Sequence, residues 1–473
     1  MWSVIRSRNA TAFVWAGDAV YADDRIEGTF PTRKKHLGAD PEYLRQLLDL
    51  QRNQPGYKAL LESNINIFGT VDDHDIGIDN ADKSFEWAKE NGVEYVNFLG
   101  LDPESAMARR AYRGLGVYGV QVYDFSRSHD QRLLTDLEAG LDPDVVPVAS
   151  TRQEQNQDNR KVAVFVLDGR TNKEPWPTSL TERFSNSNKG DFLGEEQFRW
   201  FETAIARSSA AVNIVVTGLT VHGDKYYDGN TIEAWSRFPY AQNRLYQALL
   251  QPNVQAPILV TGDIHMSQMA RKDCRQISNK EEIRPIYEVT TSGMTHSWGF
   301  GTTNAVCGTK QDMPLCNIYF LNNIYGLVFK FLHEMSPWTE LMVDETTNKL
   351  QYNLDLNIAE IEFDWDRRMV LTSILGEHGQ ILLHSNRTME EITFATSTMV
   401  KREEFDIIEE RHHDMEMVDG QNDWVCVHHR GIPPKYHYTL AVASTGCLLL
   451  SIILFPIAVF IHLGRKLYTK RGR

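Results

Sequence analysis

Short apolar segments alternate along this chain with amphipathic helical patterns, and this alternation restricts the possible folds more than any other feature. The apolar segments are rich in β-branched and aromatic residues and are bounded by Gly, Asp or Pro, which predicts β-strands. Strands without polar alternation require cover on both faces, so the pattern predicts an α/β fold built in layers. The predicted strands are 12–16, 65–71, 162–167, 212–217, 258–261 and 286–290, and the predicted helices are 41–50, 195–207 and 240–250.

The region 358–384 has a different pattern. Apolar and polar residues alternate over 358–365, and the apolar segments 369–375 and 379–384 flank the turn sequence Glu377-His378-Gly379. Alternation of this kind is typical of strands that are buried on one face only. We therefore expect antiparallel strands that close the domain.

A long apolar segment lies near the C-terminus. Between Thr439 and Leu463 there are 25 residues without Asp, Glu, Lys or Arg. A helix of that length spans ~37 Å, which exceeds the hydrocarbon core of a bilayer. The basic tail 464–473 follows, and basic residues favour the cytosolic side. The pattern predicts a single-pass type I membrane protein with a lumenal or extracellular domain; the alternative is a buried core helix.

The segment 391–437 is charged and mixed, which predicts a stalk between the domain and the membrane. His412 and His413 lie in this segment, and we interpret them as solvated residues rather than metal ligands. Two glycosylation sequons, at Asn9 and Asn386, are in keeping with a lumenal domain.

Charge and cysteine content exclude other classes. A net charge of −14 argues against nucleic acid as a partner. The five cysteines include no C-x-x-C pair, which argues against a zinc knuckle. Cys447 lies in the apolar segment, and Cys274, Cys307, Cys316 and Cys426 can pair in three ways. We favour Cys307–Cys316, with free buried thiols as the alternative.

Polar and charged residues follow four of the predicted strands. In open α/β sheets, ligands bind at the carboxyl ends of the strands, so these residues are expected to converge. Converging carboxylates repel one another unless cations are bound, and carboxylate and imidazole ligands suit iron, calcium, magnesium, manganese or zinc. The segments are Gly17-Asp18-Ala19-Val20-Tyr21, Asp72-Asp73-His74-Asp75, Asp168-Gly169-Arg170 and Gly262-Asp263-Ile264-His265.

Each segment alone has a simpler explanation. A Gly-Asp pair after a strand is often only a turn. Asp168 and Arg170 could form a structural ion pair, or Arg170 could bind a phosphate oxygen through its guanidinium fork. The combination of all four at one sheet edge is what favours a metal site.

The ordered motifs GDAVYAD, TVDDHDIG, VFVLDGR, VTGDIHMSQMAR and TSGMTHSW resemble the alkaline phosphatase D (PhoD-like) metallophosphatases, as does the segment from Glu233 to Leu245. The resemblance covers about 12–298 and could extend to 384. It implies a four-layer αββα sandwich over 1–390. The charge and hydropathy patterns add the stalk 391–437, a transmembrane helix over 438–463 and the tail 464–473.

The resemblance also implies the site residues and the reaction. Asp18, Tyr21, Asp72, Asp73, Asp263 and His265 would be the metal ligands, for iron with calcium or alternatively for manganese, magnesium or zinc. His74 would act in catalysis, as a candidate acid for the leaving group. Arg170 and His222 would contact the substrate or support the metal ligands, and His296 is a candidate of the same kind. The expected reaction is attack of a metal-activated hydroxide on a phosphomonoester or phosphodiester. The predicted membrane location, and not the resemblance, suggests lipid-linked or cell-surface esters as substrates.

Two departures from the family pattern leave an alternative open. The family has an earlier strand that ends in a cysteine ligand, and neither that strand nor a signal peptide precedes Asp18 here. We expect a longer transcript to restore both, which sequencing of the 5′ end tests. The alternative is a catalytically inactive ectodomain that binds a ligand or partner.

Overall fold

The computed structural model describes most of the chain. The described residues are 1–23, 25–27, 34–126, 132–146, 159–176, 190–223, 233–294, 297–298, 340–413 and 423–432, with seven more positions between 443 and 454. His296, Cys307 and Cys316 lie outside them.

The described helices are α1 Trp2–Ser7, α2 Pro41–Asn53, α3 Pro55–Leu61, α4 Asp73–Ile76, α5 Ala88–Leu99, α6 Ala106–Tyr112, α7 Asp136–Ala139, α8 Gly194–Ala206, α9 Pro239–Leu249, α10 Met389–Thr393 and α11 Arg402–His413. The described strands are β1 Ala12–Ala16, β2 Arg25–Glu27, β3 Lys34–Leu37, β4 Asn66–Thr70, β5 Gly119–Asp124, β6 Arg132–Leu133, β7 Lys161–Leu167, β8 Val212–Thr217, β9 Pro257–Thr261, β10 Ser267–Gln276, β11 Ile283–Thr291, β12 Tyr352–Asn353, β13 Asn357–Asp364, β14 Met369–Gly376, β15 Ile381–Thr388 and β16 Trp424–His428.

A mixed sheet of nine strands is the largest element in the described part of the chain. Its order is β12-β10-β11-β9-β8-β7-β5-β6, and β16 pairs with β10. The central strands β7, β8, β9 and β11 are parallel, so their carboxyl ends lie at one edge. The flanking strands pair in antiparallel fashion. The α/β class predicted from the sequence is confirmed.

Two hydrophobic cores lie on opposite faces of this sheet. On one face, alternate residues of β7 and β8 pack with apolar residues of α8 and α9, among them Phe165, Val215, Phe198 and Leu245. On the other face, Val164 and Ile214 belong to a core that includes β1, β4 and the strands of the three-stranded sheet β13-β14-β15. Helices α2, α3 and α5 contribute to that second core through residues such as Leu44, Tyr57 and Phe98.

The antiparallel strands expected over 358–384 are present. β13 pairs with β14 and β14 with β15, both antiparallel. Gly379 lies in the turn between β14 and β15 with a φ of 78°, a conformation that glycine adopts without steric cost. The predicted hairpin across Glu377-His378-Gly379 is thus confirmed.

The C-terminal region differs from the expected stalk. β16 pairs with β10, and a disulfide joins Cys274 to Cys426 across this pair. α11 adds to the packing, since Arg275 of β10 forms ion pairs with Asp406 and Glu409. At least these parts of 391–437 therefore belong to the folded domain. The charged residues of this region predicted a solvated stalk, but several of them form ion pairs with buried charges of the domain.

The membrane anchor stays a prediction. Among the helices that the structure describes, none combines the length and the apolar character needed to cross a bilayer. Most of the segment between Thr439 and Leu463 lies outside the described residues.

Candidate metal centre

The carboxylates predicted to converge do lie together. One oxygen each of Asp72, Asp73 and Asp263 lies within 4.8 Å of the others, and the same holds for ligand atoms of Asp18, Asp73 and His74. Asp18 follows β1, Asp72 and Asp73 follow β4, and Asp263 follows β9. β1 and β4 form a parallel two-stranded sheet of their own, whereas β9 belongs to the nine-stranded sheet, so the carboxyl ends of strands from two sheets supply the cluster and not one sheet edge as predicted.

Tyr21 and His265 contact each other and extend the cluster. The Tyr21 hydroxyl lies 3.2 Å from His265 Nε2 and 3.4 Å from Asp18 Oδ2. The rings of Tyr21 and His74 are stacked at a tilt, with centroids 4.2 Å apart. All six residues predicted as metal ligands, together with His74, thus form one contiguous group. Their roles as ligands stay predictions.

Three residues of the group have a left-handed backbone. The φ values are 55° for Asp18, 67° for Asp263 and 51° for His265. Non-glycine residues adopt this region rarely, and it costs about 1–3 kcal/mol where surrounding contacts enforce it. Strained backbone of this kind is concentrated at functional sites, so its occurrence at three cluster residues supports a functional role.

Asp75 holds the loop that carries Asp18. Its Oδ2 accepts the N–H groups of Asp18 at 2.6 Å and Asp72 at 3.0 Å. Its Oδ1 accepts those of Ala19 at 2.9 Å and Val20 at 3.3 Å. One buried carboxylate therefore ties the strand end after β1 to the strand end after β4, and so positions Asp18 beside Asp72.

Asp23 orients His74. His74 Nδ1 lies 2.6 Å from Asp23 Oδ1, and Asp23 Oδ2 accepts the N–H of Asp79 at 3.0 Å. Burial opposes the charged form of His74, but the nearby carboxylates of Asp73, Asp18 and Asp23 outweigh it and raise the pKa of His74 well above its usual value. In the absence of a cation, His74 is thus protonated and offsets part of the negative charge.

Arg170 is completely buried beneath the carboxylates. Its guanidinium forms hydrogen bonds with Asp72 and Glu233, and its Nη2 lies 3.6 Å from Asp263 and 3.9 Å from Asp73. Its side chain has no exposed surface. Of the two roles considered for Arg170, these contacts favour support of the carboxylates over direct contact with a phosphate.

His222 makes its contacts elsewhere. Its Nδ1 lies 2.9 Å from the Tyr246 hydroxyl and its Nε2 lies 2.9 Å from the Ile286 carbonyl oxygen. Burial, reinforced by the charge of Lys272, lowers its pKa well below the usual value, so the ring is neutral. With both ring nitrogens engaged, the structure favours a packing role, and the expected catalytic role has no support from these contacts.

The electrostatics of the cluster favour cation binding. Burial raises the pKa of both Asp18 and Asp263 well above the usual range, with further contributions from neighbouring carboxylates. Burial also raises the pKa of Asp72 to about 6, despite Arg170. Burial opposes ionisation of Asp73 too, but His74 and Arg170 outweigh it and lower its pKa to about 2. A bound cation would favour the ionised form of all four.

Two buried carboxylate oxygens of the cluster have no hydrogen-bond partner among the described residues. They are Asp18 Oδ1 and Asp72 Oδ2. Unpartnered buried carboxylate oxygens cost free energy unless a cation or water satisfies them. Together with the imidazole of His265 and the phenol of Tyr21, they form a ligand set that fits a metal ion.

Three important residues were not among the predicted site residues. Asp23 and Asp75 belong to the motifs GDAVYAD and TVDDHDIG, so they were visible in the sequence, but nothing there indicated that they orient other residues. Glu233 lies 63 positions from Arg170, and only the folded structure brings them together.

The family comparison agrees with the motifs. The model of the PhoD-like phosphatase family matches residues 151–320. This segment includes Arg170, Glu233, Asp263 and His265, whereas Asp18 and Asp72 lie outside it. A solved structure titled "Structure of PhoD" aligns with a TM-score of 0.36 and 17% identity, over 62% of this chain and 55% of that chain. The chain thus spans about half the length of that protein. No curated protein matches. The resemblance of this chain to the PhoD-like phosphatases is therefore confirmed.

Proposed function

We propose that this chain is a metal-dependent phosphoester hydrolase with a four-layer αββα architecture. The observation that carries the proposal is the convergence of Asp18, Asp72, Asp73 and Asp263 at the carboxyl ends of strands from two sheets, with two buried carboxylate oxygens that lack hydrogen-bond partners among the described residues. A phosphatase family match over 151–320 supports the reaction class.

The ligand groups separate into two neighbouring sets. Tyr21 contacts both Asp18 and His265 in the first set, and Asp72, Asp73 and Asp263 converge in the second, with Asp73 close to Asp18 as well. We assign one cation to each set. Bound cations would lower the pKa of a water molecule and neutralise the negative charge of a phosphoryl group.

We assign His74 the role of proton donor to the leaving group. Its Nδ1 is held by Asp23, which fixes the ring, and its side chain keeps 15% of its surface exposed. An oriented, partly exposed imidazole at the border of an acidic cluster has the geometry that a general acid requires.

We also propose that the segment between Thr439 and Leu463 anchors the enzyme in a membrane, with the domain on the lumenal or extracellular side. The described part of the domain continues to Ile432, whose N–H donates to Glu404 of α11. From Ile432 to Thr439 an extended chain reaches at most ~25 Å. The domain would then lie close to the bilayer, which suits phosphoesters at a membrane surface, including lipid-linked ones.

Substitution of single ligands tests the proposal. Asp18→Asn and Asp263→Asn should each abolish hydrolysis of a generic phosphodiester and lower the bound metal content at the same time. Asp102→Asn is the matched control, because Asp102 is exposed and accepts only a local N–H, that of Glu104, at 2.9 Å. Full turnover in both ligand variants would refute the assignment. A folded wild-type chain without turnover would favour the inactive ectodomain.

A further inference from the structure

Glu233 lies behind the acidic cluster, where it accepts hydrogen bonds from Arg170 and Trp176 and forms an ion pair with Lys173. Arg170, Lys173 and Trp176 all direct a polar group at its carboxylate. The Lys173 Nζ lies 3.1 Å from Glu233 Oε1 and 4.3 Å from the centre of the Trp176 ring. Glu233 keeps 2% of its surface exposed, so these contacts are made in a medium of low polarity.

The contact with Glu233 fixes the orientation of Arg170. A guanidinium is planar, so a hydrogen bond at Nη1 determines where Nε and Nη2 point. Here Nη1 donates to Glu233, Nε donates to Asp72 Oδ1, and Nη2 lies between Asp263 and Asp73. Because Arg170 holds Asp72 Oδ1, the second oxygen of Asp72 is the one left without a partner among the described residues.

Glu233 also balances charge. Arg170 and Lys173 are both completely buried in the vicinity of carboxylates that would bind cations. Without an anion behind them, their two positive charges would oppose the entry of a metal ion. Glu233 neutralises one of the two charges and contacts both groups.

We infer that Glu233 is a positioning residue that sets the metal affinity of the acidic cluster through Arg170. The inference rests on the proposed function, since it concerns the same site. Glu233 contacts neither Asp18 nor His265 in any described hydrogen bond, so it acts through Arg170 rather than as a ligand. Groups that orient metal ligands in this way contribute about 10–100-fold to metal affinity or activity.

The test is the affinity of the full chain for Mn²⁺, measured by competition with a chelator. Glu233→Gln keeps the shape of the side chain and removes its charge, and we expect it to weaken Mn²⁺ binding by about 10–100-fold. Asp142→Asn is the matched control, because Asp142 forms an equally buried ion pair with Arg110 outside the site. We expect the control to lose thermal stability and to keep its Mn²⁺ affinity.

A second variant covers the case in which Glu233→Gln does not fold. Trp176→Phe removes one donor to Glu233 while keeping the ring that packs on Phe238, with ring centroids 4.7 Å apart in the wild type. It should also weaken Mn²⁺ binding, but to a smaller extent than Glu233→Gln.

The kinetics of hydrolysis provide a measurement that is independent of the binding assay. At saturating Mn²⁺ a positioning role predicts that kcat recovers and KM is unchanged, whereas a substrate-contact role for Arg170 would raise KM.

The outcomes separate this inference from the proposed function. If wild-type protein binds Mn²⁺ and hydrolyses a phosphodiester, but Glu233→Gln or Trp176→Phe binds Mn²⁺ equally well, the inference is wrong and the proposed function stands. If folded wild-type protein neither binds Mn²⁺ nor turns over, the proposed function fails, and the inference fails with it.

Discussion

Substitution of Asp75 by Asn is the sharpest test of how the metal cluster is held. The Asp75 carboxylate receives four backbone N–H groups, two on each oxygen. An asparagine has a single acceptor oxygen, so in either orientation its amide group faces two N–H donors. This near-isosteric change should therefore be far more damaging than its size suggests.

The magnitude follows from the contacts that are lost. Two buried N–H groups lose their acceptor, and each unsatisfied buried donor costs about 1–3 kcal/mol. The contact with the Val20 N–H is long at 3.3 Å, so its loss should cost less free energy than the loss of a shorter hydrogen bond. We expect Asp75→Asn to lower the free energy of unfolding by about 2–4 kcal/mol. Because Asp18 loses its support, bound metal should fall as well.

Urea denaturation monitored by fluorescence is the assay. It is carried out at a pH above about 7, the value to which burial raises the pKa of Asp75. Asp40→Asn is the control. Asp40 caps α2 by accepting the N–H of Tyr43 at 2.9 Å, and Asn caps helices as well as Asp does. Equal stability of Asp75→Asn and Asp40→Asn, with unchanged metal content, would refute the reasoning.

Two further predictions concern the C-terminal part of the domain. Burial opposes ionisation of Asp273, but hydrogen bonding by His429 and the charge of Arg271 outweigh it and lower the pKa of Asp273. Asp273 therefore stabilises the fold above its unfolded pKa of about 3.9, and this contribution is lost as the pH falls through the folded value. Melting temperatures of Asp273→Asn should accordingly fall less steeply in acid than those of wild type, and parallel curves would contradict this. The Cys274–Cys426 bond closes a loop with a sequence separation of 152, so replacing both residues by Ser should cost about 2–5 kcal/mol by denaturation. Free thiols at both positions in non-reduced protein would argue against the bond.

Strands with apolar side chains on both faces were predictable from sequence. β1 and β8 have the predicted bounds, and β9 begins one residue earlier than predicted. Their near-continuous apolar residues are unambiguous because burial on both faces leaves no room for polar ones. The convergence of the carboxylates that follow these strands was predictable as well, because ligands bind at the carboxyl ends of strands in open α/β sheets.

β10 was not predictable in this way. Its sequence, SQMARKDCRQ, reads as polar, yet eight of its ten residues are buried. Arg271 is paired with Asp273 within the strand, and Arg275 is paired with Asp406 and Glu409 of α11. A charge that is neutralised by a partner far away in sequence leaves no local pattern. For the same reason, neither β16 nor the contact between Glu233 and Arg170 was predictable from the sequence.

Metal content tests the central claim most directly. The purified full chain would be analysed for bound elements and tested for hydrolysis of a generic phosphodiester in the same preparation. We predict a transition metal or calcium in stoichiometric amount, together with turnover that a chelator abolishes. A folded chain that holds no metal, gains none when metal salts are added and hydrolyses no phosphoester would contradict the account.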